Sequence, residues 1–166
     1  MNRKIALIGM PGCGKTTIGD ELSKRIGLKL IDLDKFIEEF EGKTIKDMFN
    51  ISEEVFREAE SRALMSIEEE NIILSTGGGI IKSPLNRKFL KDNYLTIFLD
   101  RPLEKILGDV DETTRPLLKD NKNRLISLYE ERYNLYKETC KIHLINDSDI
   151  DSIISKILLE LDKKHN

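Results

Sequence analysis

The chain has 166 residues, of which 39% are hydrophobic and 34% charged, with only four prolines; that suits one compact domain with a real core and no low-complexity spacer. A net charge of −3 argues against a nucleic-acid-binding face, which needs clustered Lys and Arg to neutralise phosphates. No apolar run approaches the length that a bilayer demands, and the one near the N-terminus is too short for a secretory signal, so a cytoplasmic protein with a small-molecule partner and no membrane partner is expected.

The first element is a strand. Lys4 to Gly9 carries Ile5-Ala6-Leu7-Ile8 and leads directly into Gly9-Met10-Pro11-Gly12-Cys13-Gly14-Lys15-Thr16. Two glycines five apart, then Lys and a hydroxyl residue, between a strand and a helix, is the phosphate loop of a nucleotide-binding protein. Glycines let the backbone turn its N–H groups inward, and the helix starting at Lys15 adds its positive dipole end, so anionic phosphates sit on amides. Residues Gly12, Cys13, Gly14, Lys15, Thr16 and Thr17 are the candidate nucleotide contacts. Lys15 is the mobile charge for the outer phosphates, and the Thr16 hydroxyl is placed for a bridging Mg²⁺. Cys13 reads as a small residue filling a loop position. Cys13 and Cys140 are far apart and fit no metal-ligand spacing.

The helix over Lys15 to Ile26 shows apolar residues at Ile18, Leu22 and Ile26 and stops at Gly27. Further strands are predicted at Lys29 to Leu33, Ile72 to Ser75, Leu95 to Leu99 and Ile142 to Ile145, all Ile- and Leu-rich with little alternation, as in a parallel sheet buried on both faces. Helices are predicted over Lys35 to Phe40, about Ser52 to Glu70, Pro84 to Lys91, Pro102 to Leu107, Asn123 to Glu138 and Ile150 to Lys163. The result is an α/β chain of βαβ units, in which ligands gather beyond the carboxyl ends of the strands.

Three groups of residues stand at such ends or face them. Asp32 and Asp34 follow the second strand; their spacing points both carboxylates one way if the backbone stays extended, one toward a metal and the other toward a substrate hydroxyl. Asp34 also precedes a helix, so capping alone would explain it. Ser75-Thr76-Gly77-Gly78-Gly79 follows the third strand, and three bare glycines let backbone amides approach a ligand closely. Arg57, Arg115 and Arg132 supply charge, with Glu60 on the same helix face as Arg57. His143, in a strand pattern, and His165 read as structural or solvated.

Taken together in order, the phosphate loop with Lys15-Thr16-Thr17-Ile18-Gly19, Asp32-Leu33-Asp34 with Ile37-Glu38, Phe56-Arg57-Glu58-Ala59-Glu60, Ser75 to Gly79, Arg115-Pro116-Leu117-Leu118, and Arg132-Tyr133 with Tyr136 resemble the shikimate kinase family. The resemblance implies a three-layer P-loop kinase fold like that of nucleoside monophosphate kinases: a five-stranded parallel sheet of order 2-3-1-4-5, one domain over residues 1–166, substrate-binding helices at about 34–61 and a lid at about 108–123. It implies transfer of the ATP γ-phosphate to the 3-hydroxyl of shikimate by a monomer. Arg57 and Arg132 would hold the acceptor carboxylate, Asp34 its hydroxyls, and Gly77, Gly78 and Gly79 would offer amides. Thr16 and Asp32 would serve Mg²⁺. Lys15 and Arg115 would offset transition-state charge, with Asp34 as the base. Two arginines that family members often place near adenine are missing around Gly108 and in Asn146-Asp147-Ser148. A gluconate kinase, a nucleotide kinase and a P-loop ATPase module are the other readings that the phosphate loop permits.

Overall fold

The computed structural model describes residues 3–109 and 117–163. The core of the predicted lid, with Arg115, lies outside the described residues, as does His165.

Five strands, β1 (Lys4–Ile8), β2 (Lys29–Asp32), β3 (Ile72–Ser75), β4 (Leu95–Asp100) and β5 (Ile142–Ile145), form one parallel sheet in the order β2-β3-β1-β4-β5. Helices α1 (Lys15–Ile26), α2 (Leu33–Glu41), α3 (Ile45–Ile51), α4 (Glu53–Ser66), α5 (Pro84–Asn93), α6 (Leu103–Gly108), α7 (Leu117–Thr139) and α8 (Ile150–Lys163) connect and cover it. Ile5, Ala6, Leu7 and Ile8 of the central strand are at most 1% exposed, so both faces of β1 are covered and the uninterrupted apolar run has its physical reason. The chain leaves β1 toward one edge through α1 and later crosses to the other edge through α5. The reversal opens a crevice between the carboxyl ends of β1 and β3, the place where an open parallel sheet receives ligands. Register aligns Ser75 with both Leu7 and Asp32, which brings the phosphate loop, the glycine turn and the Asp32 region level with one another.

Local chemistry sets the differences from expectation. The second strand ends at Asp32 rather than Leu33, because the Asp32 Oδ1 accepts from the N–H groups of Asp34 at 3.0 Å and Lys35 at 3.4 Å and starts α2 there. Asp32 is therefore the cap, and Asp34 sits inside the first turn rather than on extended backbone. Helix α3 was absent from the predicted elements; it is held by Thr44, whose hydroxyl accepts from the Asp47 N–H at 3.1 Å, a hydroxyl residue followed three places on by an acid. Helix α4 stops at Ser66, short of Glu70: Ile67 turns into the core, and Lys4 Nζ takes its carbonyl at 3.2 Å. Glu68, Glu69 and Glu70 then form an exposed link to β3. Helix α7 begins at Leu117, so residues 117–123 of the predicted lid are helical.

Gly9 joins β1 to the phosphate loop at φ +151°, and a Cβ there would lie 2.7 Å from the Leu99 carbonyl oxygen and 2.8 Å from Cys13 Sγ. Neither the backbone conformation nor the strand behind it yields easily, so Gly9→Ala is expected to cost about 1–3 kcal/mol, or more if β4 must shift. Denaturant unfolding checks this; an unchanged midpoint would contradict it.

Candidate active site

Glycine geometry builds the phosphate loop. Gly12 and Gly14 take φ values of +80° and +92°, which bend the chain around an open centre. From outside, Arg101 Nη1 donates to the Gly12 carbonyl at 2.9 Å and Asn146 Nδ2 to the Cys13 carbonyl at 2.9 Å. With the Cys13 carbonyl turned outward, the trans peptide turns the Gly14 N–H the other way, toward the centre of the loop. Lys15 Nζ donates to the Gly9 and Met10 carbonyls at 2.8 and 3.0 Å and lies 3.6 Å from Cys13 Sγ. It is thus stored on the loop it serves. A cavity of about 400 Å³ over the loop is lined by Gly12, Gly14, Lys15, Thr16, Thr17 and Asp34, among others. Cys13 is fully buried and fills the loop from behind. Thr16 Oγ1 stands 3.1 Å from Ser75 Oγ, and Asp32 meets Thr16 along an adjoining groove of about 770 Å³ rather than in the phosphate cavity itself.

A second cavity, of about 560 Å³, borders the first, and Pro11, Asp34, Gly77 and Gly78 line both. Its walls bring together Arg57 from α4, Arg132 from α7, and Gly79, with Glu60 below. Phe56, Phe49 and Ile45 supply an apolar side, which is why the overlooked α3 matters. Glu60 is 1% exposed, and its Oε1 accepts from Arg57 Nη1 at 2.8 Å. The guanidinium also lies against Gly79: a Cβ there would sit 2.5 Å from Nη1. Arg132 is 6% exposed, so both arginines present charge from walls that exclude much of the water. Asp34 opens onto the cavity. Burial raises its pKa above 3.8, and the Asp32 charge adds to the rise, against Lys15 and Arg57. Burial likewise raises Glu60, opposed by Arg57.

Sequence reasoning placed Asp34, Arg57, Arg132 and the three glycines at one site, and the fold brings them together. It missed Ser75 as the partner of Thr16, which the strand register would have suggested, and Arg124 at the cavity rim. It also missed the clasp by Arg101 and Asn146, for which no local motif exists. A third cavity, of about 280 Å³, borders the loop on that side, with Cys13, Gly14, Thr17, Arg101, Lys105 and Asn146 in its wall. His143 proves structural: its Nε2 lies 2.7 Å from Asp100 Oδ2.

An outer phosphate held on the loop would face, across Gly77 and Gly78, a cavity equipped with guanidinium and carboxylate groups, and that defines a P-loop kinase for a small acceptor. The family model described as Shikimate kinase matches residues 11–162. A shikimate kinase of Clostridium botulinum (strain Alaska E43 / Type E3) is 49% identical over 158 residues, covering 95% of this chain and 96% of that one. One from Clostridium beijerinckii is 44% identical over 158 residues, with 95% and 94% covered. Among solved structures, the shikimate kinase of Acinetobacter baumannii in complex with shikimate superposes with a TM-score of 0.88 at 32% identity, covering 99% of this chain and 96% of that chain. The Aquifex aeolicus shikimate kinase gives 0.84 at 32% identity, with 98% of each covered. The chain belongs to the shikimate kinase family, and is a phosphotransferase with an alcohol acceptor and ATP as co-substrate.

The Glu60 environment has a consequence for stability. A carboxyl whose folded pKa is raised contributes its full stabilising share below the unfolded value of 4.5 and loses it as pH climbs through the folded value. The Tm of the wild type minus that of Glu60→Gln is expected to fall as pH rises over the interval opening at 4.5. A difference that grows over that interval would contradict the burial argument.

Proposed function

We propose that the chain transfers the γ-phosphate of ATP to the 3-hydroxyl of shikimate, acting as a cytoplasmic monomer on two small molecules. The observation that carries this reading is the acceptor cavity: Arg57 and Arg132 from different helices together with the Asp34 carboxylate, directly beside the phosphate cavity. A planar carboxylate is what a guanidinium binds bidentately, and a ring bearing several hydroxyls needs an anionic acceptor such as Asp34. Arg57 and Arg132 take the carboxylate, Asp34 takes the ring hydroxyls, and the amides of Gly77, Gly78 and Gly79 close the turn around them.

Phosphoryl transfer needs little covalent help and much aiming. Lys15 swings from the loop carbonyls to the outer phosphates and neutralises charge as the phosphoryl group moves, and Arg115 from the lid adds to this. The lid, residues 108–123, excludes water that would compete with the acceptor hydroxyl. Asp34 aligns the attacking hydroxyl and receives its proton, a task for which a raised pKa suits it. The donor set fits Mg²⁺: Thr16 offers a hydroxyl, and Asp32 keeps Oδ2 apart from its two cap bonds to Oδ1. Hard oxygen ligands few in number suit a cation that keeps several waters and binds mostly to phosphates. When bound, the cation would draw charge off the phosphates. The third cavity, with Arg101, Lys105 and Asn146, is our choice for the adenine.

ADP release with and without shikimate tests the reading: turnover that ignores the acceptor, or that responds to gluconate alone, contradicts it. In the same assay Arg57→Ala and Arg132→Ala are each expected to weaken shikimate use by about 2–5 kcal/mol while sparing ATP binding. Lys15→Ala should instead remove nearly all turnover. Equal losses for both ligands in the arginine variants would overturn their assignment.

A further inference from the structure

Tyr136 is fully buried on α7 and takes no part in the transfer as derived above. Its ring stacks on Phe98 with centroids 5.1 Å apart, which core packing alone explains. Its hydroxyl does something else: it donates to the Gly78 carbonyl at 2.5 Å, so a side chain from α7 reaches into the glycine turn that lines the acceptor cavity. Burial holds that hydroxyl in its protonated, donating form, against the charge of Arg132 one turn earlier on the same helix. Arg132 Nε is itself buried without a partner.

The peptide between Gly78 and Gly79 is the middle of a turn that the Ile80 N–H closes on the Gly77 carbonyl at 3.2 Å, a bond that leaves the orientation of that peptide plane open. A Cβ on Gly78 would meet Pro11 Cδ at 2.7 Å, and one on Gly79 would meet the Arg57 guanidinium. Neither residue has a side chain to fix the rotation of the peptide plane, so the anchored carbonyl fixes it. In a trans peptide the Gly79 N–H points opposite to the Gly78 carbonyl. Pulling the carbonyl toward α7 therefore turns that N–H away from α7's tyrosine, and Gly79 lines the acceptor cavity. No described residue accepts a hydrogen bond from the Gly79 N–H.

We propose that Tyr136 is a positioning residue for the acceptor: its hydroxyl sets the Gly78–Gly79 peptide so that the Gly79 N–H is offered to the anionic acceptor that Arg57 and Arg132 grip. The inference rests on the acceptor reading given under the proposed function. A helix packed merely to fill the core would need the aromatic ring and not the oxygen. Tyr136→Phe keeps the ring and its stack, takes from the Gly78 carbonyl its side-chain donor, and frees the peptide to rotate.

Kinetics of Tyr136→Phe, with Tyr133→Phe as a control, provide the test. Tyr133 also ties α7 down, through a 2.8 Å bond to Asp100 Oδ2, but touches neither the turn nor the cavity. Tyr136→Phe is expected to raise the shikimate KM about tenfold, with kcat and the ATP KM changed by no more than about twofold. Tyr133→Phe is expected to leave the shikimate KM in place. Equal effects of the two variants, or equal effects of Tyr136→Phe on both substrates, would show a general loosening of α7 and overturn the proposal. A wild type that turned over no shikimate would instead sink the acceptor reading. In that event the Gly78 carbonyl ¹³C resonance of the unliganded protein still decides the positioning claim: it should move between wild type and Tyr136→Phe, and a resonance that stays put overturns it.

Discussion

The acceptor half of the site depends on one buried ion pair. Glu60 is almost sealed from solvent, and a carboxylate there is costly unless a cation answers it. Arg57 offsets part of that cost at 2.8 Å, and the pairing holds the guanidinium flat against Gly79. The geometry therefore needs three things at once: an acid that burial makes expensive, a base that it holds, and a residue without a side chain where the base must lie. Removing any one changes the shape of the cavity, because interior side chains are packed too closely to drift. Glu53 adds a longer contact to Arg57 Nε at 3.4 Å from the exposed side; contacts of that exposed kind contribute little.

The sheet turns this local arrangement into a reaction site. The reversal of strand order between β3 and β1 places the turn after β3 beside the loop after β1, and Thr76 ties that turn to β1 by donating its hydroxyl to the Leu7 carbonyl at 2.8 Å. The phosphate-loop cavity and the second cavity then share a wall made of Pro11, Asp34, Gly77 and Gly78. Because the wall is backbone and proline apart from Asp34, it separates the two cavities with little side-chain bulk. Holding the reactants in that relation is most of what phosphoryl transfer asks of a protein.

Much of this was legible in the residues, for physical reasons. The phosphate loop announces itself because each position answers a separate requirement, and the buried strands because nothing in them needs to face water. Arg57 and Glu60 were readable as a pair from their spacing on one helix face. Other features depend on contacts that sequence spacing does not encode. The capping role passed from Asp34 to Asp32 because the strand ended one residue early, and this freed Asp34 for the cavity. The start of α7 was obscured by polar composition, since a run such as Lys119-Asp120-Asn121-Lys122-Asn123 reads as loop until tertiary packing overrides propensity. Arg101 and Asn146 reach the phosphate loop from just beyond the ends of β4 and β5, far along the chain, so no local pattern foretells their clasp. Helix α3 was the avoidable omission, since Thr44 and Asp47 spell out its start.

The central claim, that the flat seating of Arg57 on a bare glycine shapes the acceptor cavity, meets its most direct test in calorimetric titration of Gly79→Ala with shikimate and with ATP. Gly79 has an ordinary negative φ of −95°, so alanine strains no backbone there, and the three atoms nearest its methyl group all belong to the Arg57 guanidinium. The account predicts a folded variant that binds ATP normally and has lost most of its affinity for shikimate. Unaltered shikimate binding by that variant would contradict it.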